Sequence, residues 1–137
     1  MADFSSIGRS NRRRGNSFEL RCRELMVDIT GHPYWKRTVA GHVQVYGDLM
    51  AVDELGKILL HGANDLYVEC KYRTALSSSK VLKLIHEVVD KSLRYGHEHW
   101  ILLVGQPGNP VTVYVNGSFP YRKWMEGRIG GYINEPR

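Results

Sequence analysis

Between residues 18 and 29 the apolar positions Phe18, Cys22, Leu25, Met26 and Ile29 recur at steps of three and four, which is one face of an amphipathic helix. Asn16 stands where a helix cap would, and Glu19 follows three residues later, the spacing of a capping box. Gly31-His32-Pro33 ends the pattern. The period then shortens to two. Strands are predicted over 34–39 and 48–52, with a turn at 53–57 and an extension over 58–60. Gly62-Ala63-Asn64-Asp65 turns the chain into a strand over 66–72. Ser77-Ser78-Ser79 offers caps for a second helix over 80–95. Its stripe of Val81, Leu82, Leu84, Ile85, Val88, Val89 and Leu93 is wide enough to pack on a sheet, and Gly96 is a natural stop. Two more strands are predicted, 100–104 and 111–115, joined by the Gly- and Pro-rich stretch 106–110. Beyond Phe119 the aromatic residues Tyr121, Trp124 and Tyr132 follow no period.

The predicted order is α-β-β-β-α-β-β. That implies an α/β fold, a single domain with a mixed central β-sheet flanked by helices. A chain of 137 residues, 42% apolar, suits one core better than two. Residues 1–15 are expected to be a flexible basic arm and 16–137 the folded domain. No apolar run is long enough to cross a membrane, and the first residues do not read as a secretory signal, so a cytoplasmic protein is expected. Cys22 and Cys70 form no metal-binding spacing and are expected to be reduced thiols.

Charge changes the picture. Nineteen basic residues oppose fourteen acidic ones, for a net charge of +5. Arg9, Arg12, Arg13 and Arg14 crowd into the first fifteen residues, as expected of a chain that meets a polyanion.

The candidate chemistry sits in Tyr67-Val68-Glu69-Cys70-Lys71. On a strand Glu69 and Lys71 share one face, while Leu66, Val68 and Cys70 share the other. An E-x-K triplet is common, and alone it is an ion pair on a strand. Asp48, twenty-one residues earlier at the head of an apolar run, adds a second carboxylate if its strand neighbours that of Glu69. Two carboxylates and a lysine can hold a hard divalent ion and support phosphodiester hydrolysis. Glu19 borders the apolar face of the first helix and can reach toward the sheet.

Arg12-Arg13-Arg14-Gly15-Asn16-Ser17-Phe18-Glu19-Leu20, then Gly47-Asp48-Leu49-Met50-Ala51-Val52, then Tyr67 to Tyr72, together resemble the archaeal-type Holliday junction resolvases of the PD-(D/E)xK nuclease superfamily. The resemblance runs from about Arg12 to Val115. It implies a restriction-endonuclease-like core and a homodimer that cuts four-way DNA junctions. It implies Mg²⁺, with Mn²⁺ as an alternative ion, held by Glu19, Asp48, Glu69 and the backbone carbonyl of Cys70. Lys71 takes the place of the catalytic lysine, and Arg12, Arg13, Arg14, Arg37, Thr38 and His42 are the expected DNA contacts. Gly47 stands where the family often has proline. The family's loop serine has no counterpart in 37–42, where Thr38 and His42 are the candidates to replace it.

Two other functions stay open. One is a different nuclease on the same core, such as a repair nickase or a restriction-type enzyme. The other is a non-catalytic DNA-binding module. Small size argues against the base-reading enzyme, and clustered acids near phosphates argue against the module. His97 and His99 read as an exposed pair. Neither a phosphate-binding glycine loop nor a serine-hydrolase elbow occurs in the sequence.

Overall fold

The computed structural model describes residues 4–39, 43–59, 66–116 and 132–134. The chain is mixed α/β. In order it forms α1 (Phe4–Thr30), β1 (Trp35–Arg37), α2 (Val43–Tyr46), β2 (Leu49–Ala51), β3 (Leu66–Tyr72), α3 (Ser78–Arg94), β4 (His99–Gly105), β5 (Thr112–Val115) and β6 (Tyr132–Asn134). The strands form a four-stranded sheet in the order β3-β4-β5-β6 and a small sheet of β1 and β2. β3 and β4 are parallel, with α3 as the crossover between them. β4 and β5 are antiparallel, and β5 and β6 are parallel.

Strand alternation gives the larger sheet two apolar faces. Leu66, Val68, Ile101, Leu103, Val113 and Val115 join Phe18, Cys22, Met26 and Ile29 of α1 in one core. Tyr67, Trp100, Leu102, Val104 and Tyr114 join Ile85 and Val88 of α3 in the other. Helices thus cover both faces of the sheet, as expected for a strand pattern with few polar positions. Each fully buried large side chain contributes about 1.5–3 kcal/mol, so Met26 and Ile29 alone hold α1 firmly against the sheet. Between α1 and β3, Cys22 and Cys70 are free thiols joined by a hydrogen bond. That bond, followed by burial, pushes the Cys70 thiol up from its ordinary value.

Several expectations are corrected. The first helix begins at Phe4, so Asn16 lies inside it and not at its start, and Glu19 is a mid-helix residue. Residues 4–15 are therefore helical where a flexible arm was expected. They contain no proline, and arginine is a good helix former. Once the face from Phe18 to Ile29 is packed, each upstream residue adds a hydrogen bond without a new nucleus. The side chains of Arg12, Arg13 and Arg14 lie outside the described residues, as do His42, Leu60, the turn at 62–65 and the aromatic residues Phe119, Tyr121 and Trp124.

β2 meets β3 through the bridge of Gly47 to Val68, just before its first residue. It pairs with β1, antiparallel, with Arg37 opposite Leu49 and Trp35 opposite Ala51. The turn at 53–57 exists, but it folds β2 back on its own continuation. Asp53 Oδ1 accepts from the amides of Leu55 (2.8 Å) and Lys57 (2.9 Å), and Val52 bridges Ile58. The expected extension over 58–60 is that single bridge. α2 and β6 were not foreseen, because elements of three or four residues carry no readable period.

α3 is capped by Ser77, whose side chain accepts from the Lys80 amide, and it stops before Gly96 at φ +79. Leu82 and Leu93, read as part of its buried stripe, are 45% and 72% exposed. At about 100° per residue both lie to one side of the line through Ile85 and Ser92, so they pass the edge of the sheet contact.

Candidate active site

The site is built on the outer edge of β3, where the two sheets touch. Gly47 bridges Val68. The Asp48 amide donates to the Val68 carbonyl at 2.7 Å, and the Asp48 carbonyl accepts from the Thr38 amide at 3.0 Å. Asp48 then extends the ladder with its side chain, Oδ2 accepting from the Cys70 amide at 2.7 Å. A strand edge that would show a bare N–H is thereby closed by a carboxylate. The carbonyl of Cys70 leaves the strand on the same edge as its amide, beside Asp48.

The approach is close enough to dictate residue 47. Gly47 has φ +82, and a Cβ there would collide with the Val68 carbonyl. Proline, with φ near −65°, cannot adopt this conformation. Glycine at position 47 is thus a requirement of the way this chain docks Asp48.

Glu69 points to the α3 face of the sheet, with Lys71, as strand alternation predicts. It is 6% exposed. Its Oε1 meets Lys71 Nζ at 3.3 Å and also Lys91 Nζ of α3 at 3.2 Å. The Tyr67 hydroxyl, one step along the same face, hydrogen-bonds Glu69; burial pushes its phenol up from the ordinary value of 10.0. Burial is also the largest influence on Asp48 and raises its pKa above the ordinary 3.8. The Cys70 amide opposes this, the negative charge of Glu69 adds to it, and Lys71 and Lys91 oppose it. Asp48 and Glu69 are therefore near enough to repel, with two lysines beside them.

A cleft opens on the other side of the Asp48 edge, lined by Phe18, Glu19, Arg37, Thr38, Asp48, Cys70, Lys71 and Tyr72. Gly105 makes room for its aromatic wall, since a Cβ there would fall 2.5 Å from the Phe18 ring. Phe18 and Tyr72 pack with ring centroids 5.4 Å apart. Glu19 reaches in from α1, its Oε2 3.5 Å from Arg37 Nε and its Oε1 3.8 Å from Arg23 Nε. Thr38 is 7% exposed, and its hydroxyl has no hydrogen-bond partner among the described residues.

Of the residues singled out in the sequence, Glu19, Arg37, Thr38, Asp48, Cys70 and Lys71 thus share one cleft. Glu69 stands behind Lys71 on the α3 side. Glu19 is held by arginines, and among the described residues no group of three His, Cys, Asp or Glu is gathered closely enough to hold a metal ion. Lys91 was not foreseen. It lies twenty-two residues beyond Glu69 in an ordinary mixed-charge helix, and only the crossover of α3 brings it to the strand. The contact between Cys22 and Cys70 was also invisible, because neither spacing nor period links them.

The assembled groups set carboxylates beside cationic side chains and a hydroxyl. Oxygen donors lie at the strand edge, the Lys71 ammonium is ion-paired to Glu69, and the Arg37 guanidinium and the Thr38 hydroxyl line the cleft. Scans of protein-family models, curated proteins and solved structures find no match to this chain, so the reading of the site rests on its residues and their geometry.

Proposed function

We propose that the protein is a metal-dependent DNA endonuclease of the PD-(D/E)xK type, with a restriction-endonuclease-like core, that cuts four-way junctions as a homodimer inside the cell. The observation that carries the reading is the meeting of Asp48, Glu69 and Lys71 at the edge of β3. Asp48 docks through Gly47 and the Cys70 amide, and Glu69 is ion-paired to Lys71.

The donors fit a hard divalent ion. The Asp48 carboxylate, the Cys70 carbonyl and Glu69 are all oxygen ligands of the kind Mg²⁺ or Mn²⁺ takes. Asp48 and Glu69 are close enough to repel, and a cation shared by them would relieve that repulsion where a lysine gives way. Such an ion would supply charge stabilisation at the phosphate and a more acidic water. Glu19 enters this set only by leaving its arginines; as it stands, it positions Arg37.

The chain's own groups have distinct tasks in this reading. Lys71, fixed by Glu69, holds positive charge where the pentavalent phosphate gains negative charge. Arg37, exposed at the cleft mouth, contacts a phosphate oxygen, and the Thr38 hydroxyl donates to another. Thr38 then takes the part of the loop serine that the resemblance implies. Arg12, Arg13 and Arg14 precede Glu19 by two turns or less on the same helix, so phosphates on either side of the cut would meet a basic track. Paired cuts in a symmetric junction call for two copies related by a two-fold axis.

Cleavage of a labelled four-way junction with Mg²⁺ tests the proposal, beside linear duplex of the same sequence and Asp48→Asn as control. Paired cuts in the junction alone, lost in the variant, are the expected result. Cutting of linear duplex as well would keep the chemistry but remove the junction selectivity. Binding without any cutting would leave a DNA-binding module.

A further inference from the structure

Two ammonium groups converge on one oxygen of Glu69. Lys71 lies 3.3 Å and Lys91 3.2 Å from Oε1, and both also act on Asp48. Two lysines thus stand against the two carboxylates. A divalent ion brings two more charges to the same oxygens, and like charges so close together in a partly buried site cannot all remain. We infer that Lys91 is a counter-ion that competes with the metal, leaving Glu69 when the ion enters and so setting the concentration at which the site loads. The inference rests on the metal-dependent reading above and adds to it a residue outside the E-x-K strand.

The geometry distinguishes the two lysines. Lys71 is two residues from Glu69 on the same strand, and its side chain is 26% exposed. Lys91 reaches over from α3 on a flexible stem and is 38% exposed, so it can swing into water with less loss of packing. It also belongs to the last turn of α3, where the unpaired carbonyls of the helix end attract a cation. Its ammonium therefore has a second place to rest.

The test is a calorimetric titration of Mg²⁺, and separately Mn²⁺, into the full chain without DNA at one fixed pH. It compares wild type with Lys91→Met and Lys91→Arg. Lys91→Met should bind metal on the order of tenfold more tightly, because removing a unit charge at this range is worth at least that factor. Lys91→Arg, which keeps the charge, should stay within about twofold of wild type. Circular dichroism establishes that each variant is folded, and Lys91→Gln replaces the methionine variant if that one is not. Wild-type or weaker affinity in the folded, uncharged variant overturns the inference while leaving the metal reading in place. Absence of metal binding in wild type and variant alike overturns both.

Discussion

In Asp48→Asn the side-chain oxygen that accepts from the Cys70 amide survives, whereas in Asp48→Ala it is gone. The bond is short, 2.7 Å, and joins a part-buried amide to a charged acceptor. Leaving such an N–H unpaired costs about 1–3 kcal/mol. A chain of 137 residues loses about 3.5 °C of Tm per kcal/mol, so Asp48→Ala should melt roughly 4–10 °C below wild type. Asp48→Asn keeps the bond and sheds the burial of a charge, so at neutral pH in EDTA it should melt at or above wild type. The pH dependence of the difference follows. The pKa of Asp48 is raised in the folded state, so its contribution to stability is fully present below the ordinary 3.8 and is lost as the pH rises through the higher, folded value. Wild type should therefore gain on Asp48→Asn as the pH is lowered through that window. Thermal melts followed by circular dichroism, with metal chelated, read all three proteins. Equal destabilisation by asparagine and alanine would refute the argument, because the carboxylate would then not be acting as a neutral side-chain acceptor can. DNA cleavage should be lost in both variants.

Lys71→Ala should slow single-turnover cleavage by at least about a hundredfold, the loss typical of one charge-stabilising group; a wild-type rate would reduce Lys71 to an ion-pair partner of Glu69. Thr38→Val removes a buried hydroxyl that has no partner among the described residues, so urea denaturation should show unchanged or higher stability, while junction affinity falls; a clear loss of stability would mean that the hydroxyl is satisfied within the fold. Gly47→Ala must adopt φ near +82 and collide with Val68, so it should cost more than the roughly 1–2 kcal/mol of the left-handed conformation alone; a near-neutral urea midpoint shift would contradict the close docking of Asp48. Replacing Arg12, Arg13 and Arg14 with glutamine should reduce the slope of log affinity against log salt by up to about 0.9 per lost phosphate contact, and an unchanged slope would take them off the DNA.

Local pattern was enough to read much of the frame. The steps of three and four from Phe18 to Ile29, the serines before α3 and the alternation along 66–72 are short-range signals, and each is visible within a dozen residues. The same alternation separates Glu69 and Lys71 from Val68 and Cys70, so the shared face of the E-x-K pair was legible before any fold was known. The upstream limit of α1 was not. Helix extension there depends on a nucleus anchored by packing elsewhere, whereas the cap reading at Asn16 used only its neighbours. Nor could a sequence say which strand β2 would pair with, since a strand of three residues carries no local signal of its partner.

The sequence by itself determined the residue types of the site, their order and the faces of the strands and helices that carry them, because periodicity and side-chain chemistry are local. Tertiary structure alone decided how they meet. It docks Asp48 on β3 through a glycine that must have positive φ, holds Glu19 on arginines in the cleft that Asp48 also lines, and brings Lys91 across a helical crossover to Glu69. Apart from the Arg23–Glu19 pair within α1, these contacts join residues far apart in the chain, and the packing of α1 and α3 on opposite faces of one sheet sets their distances.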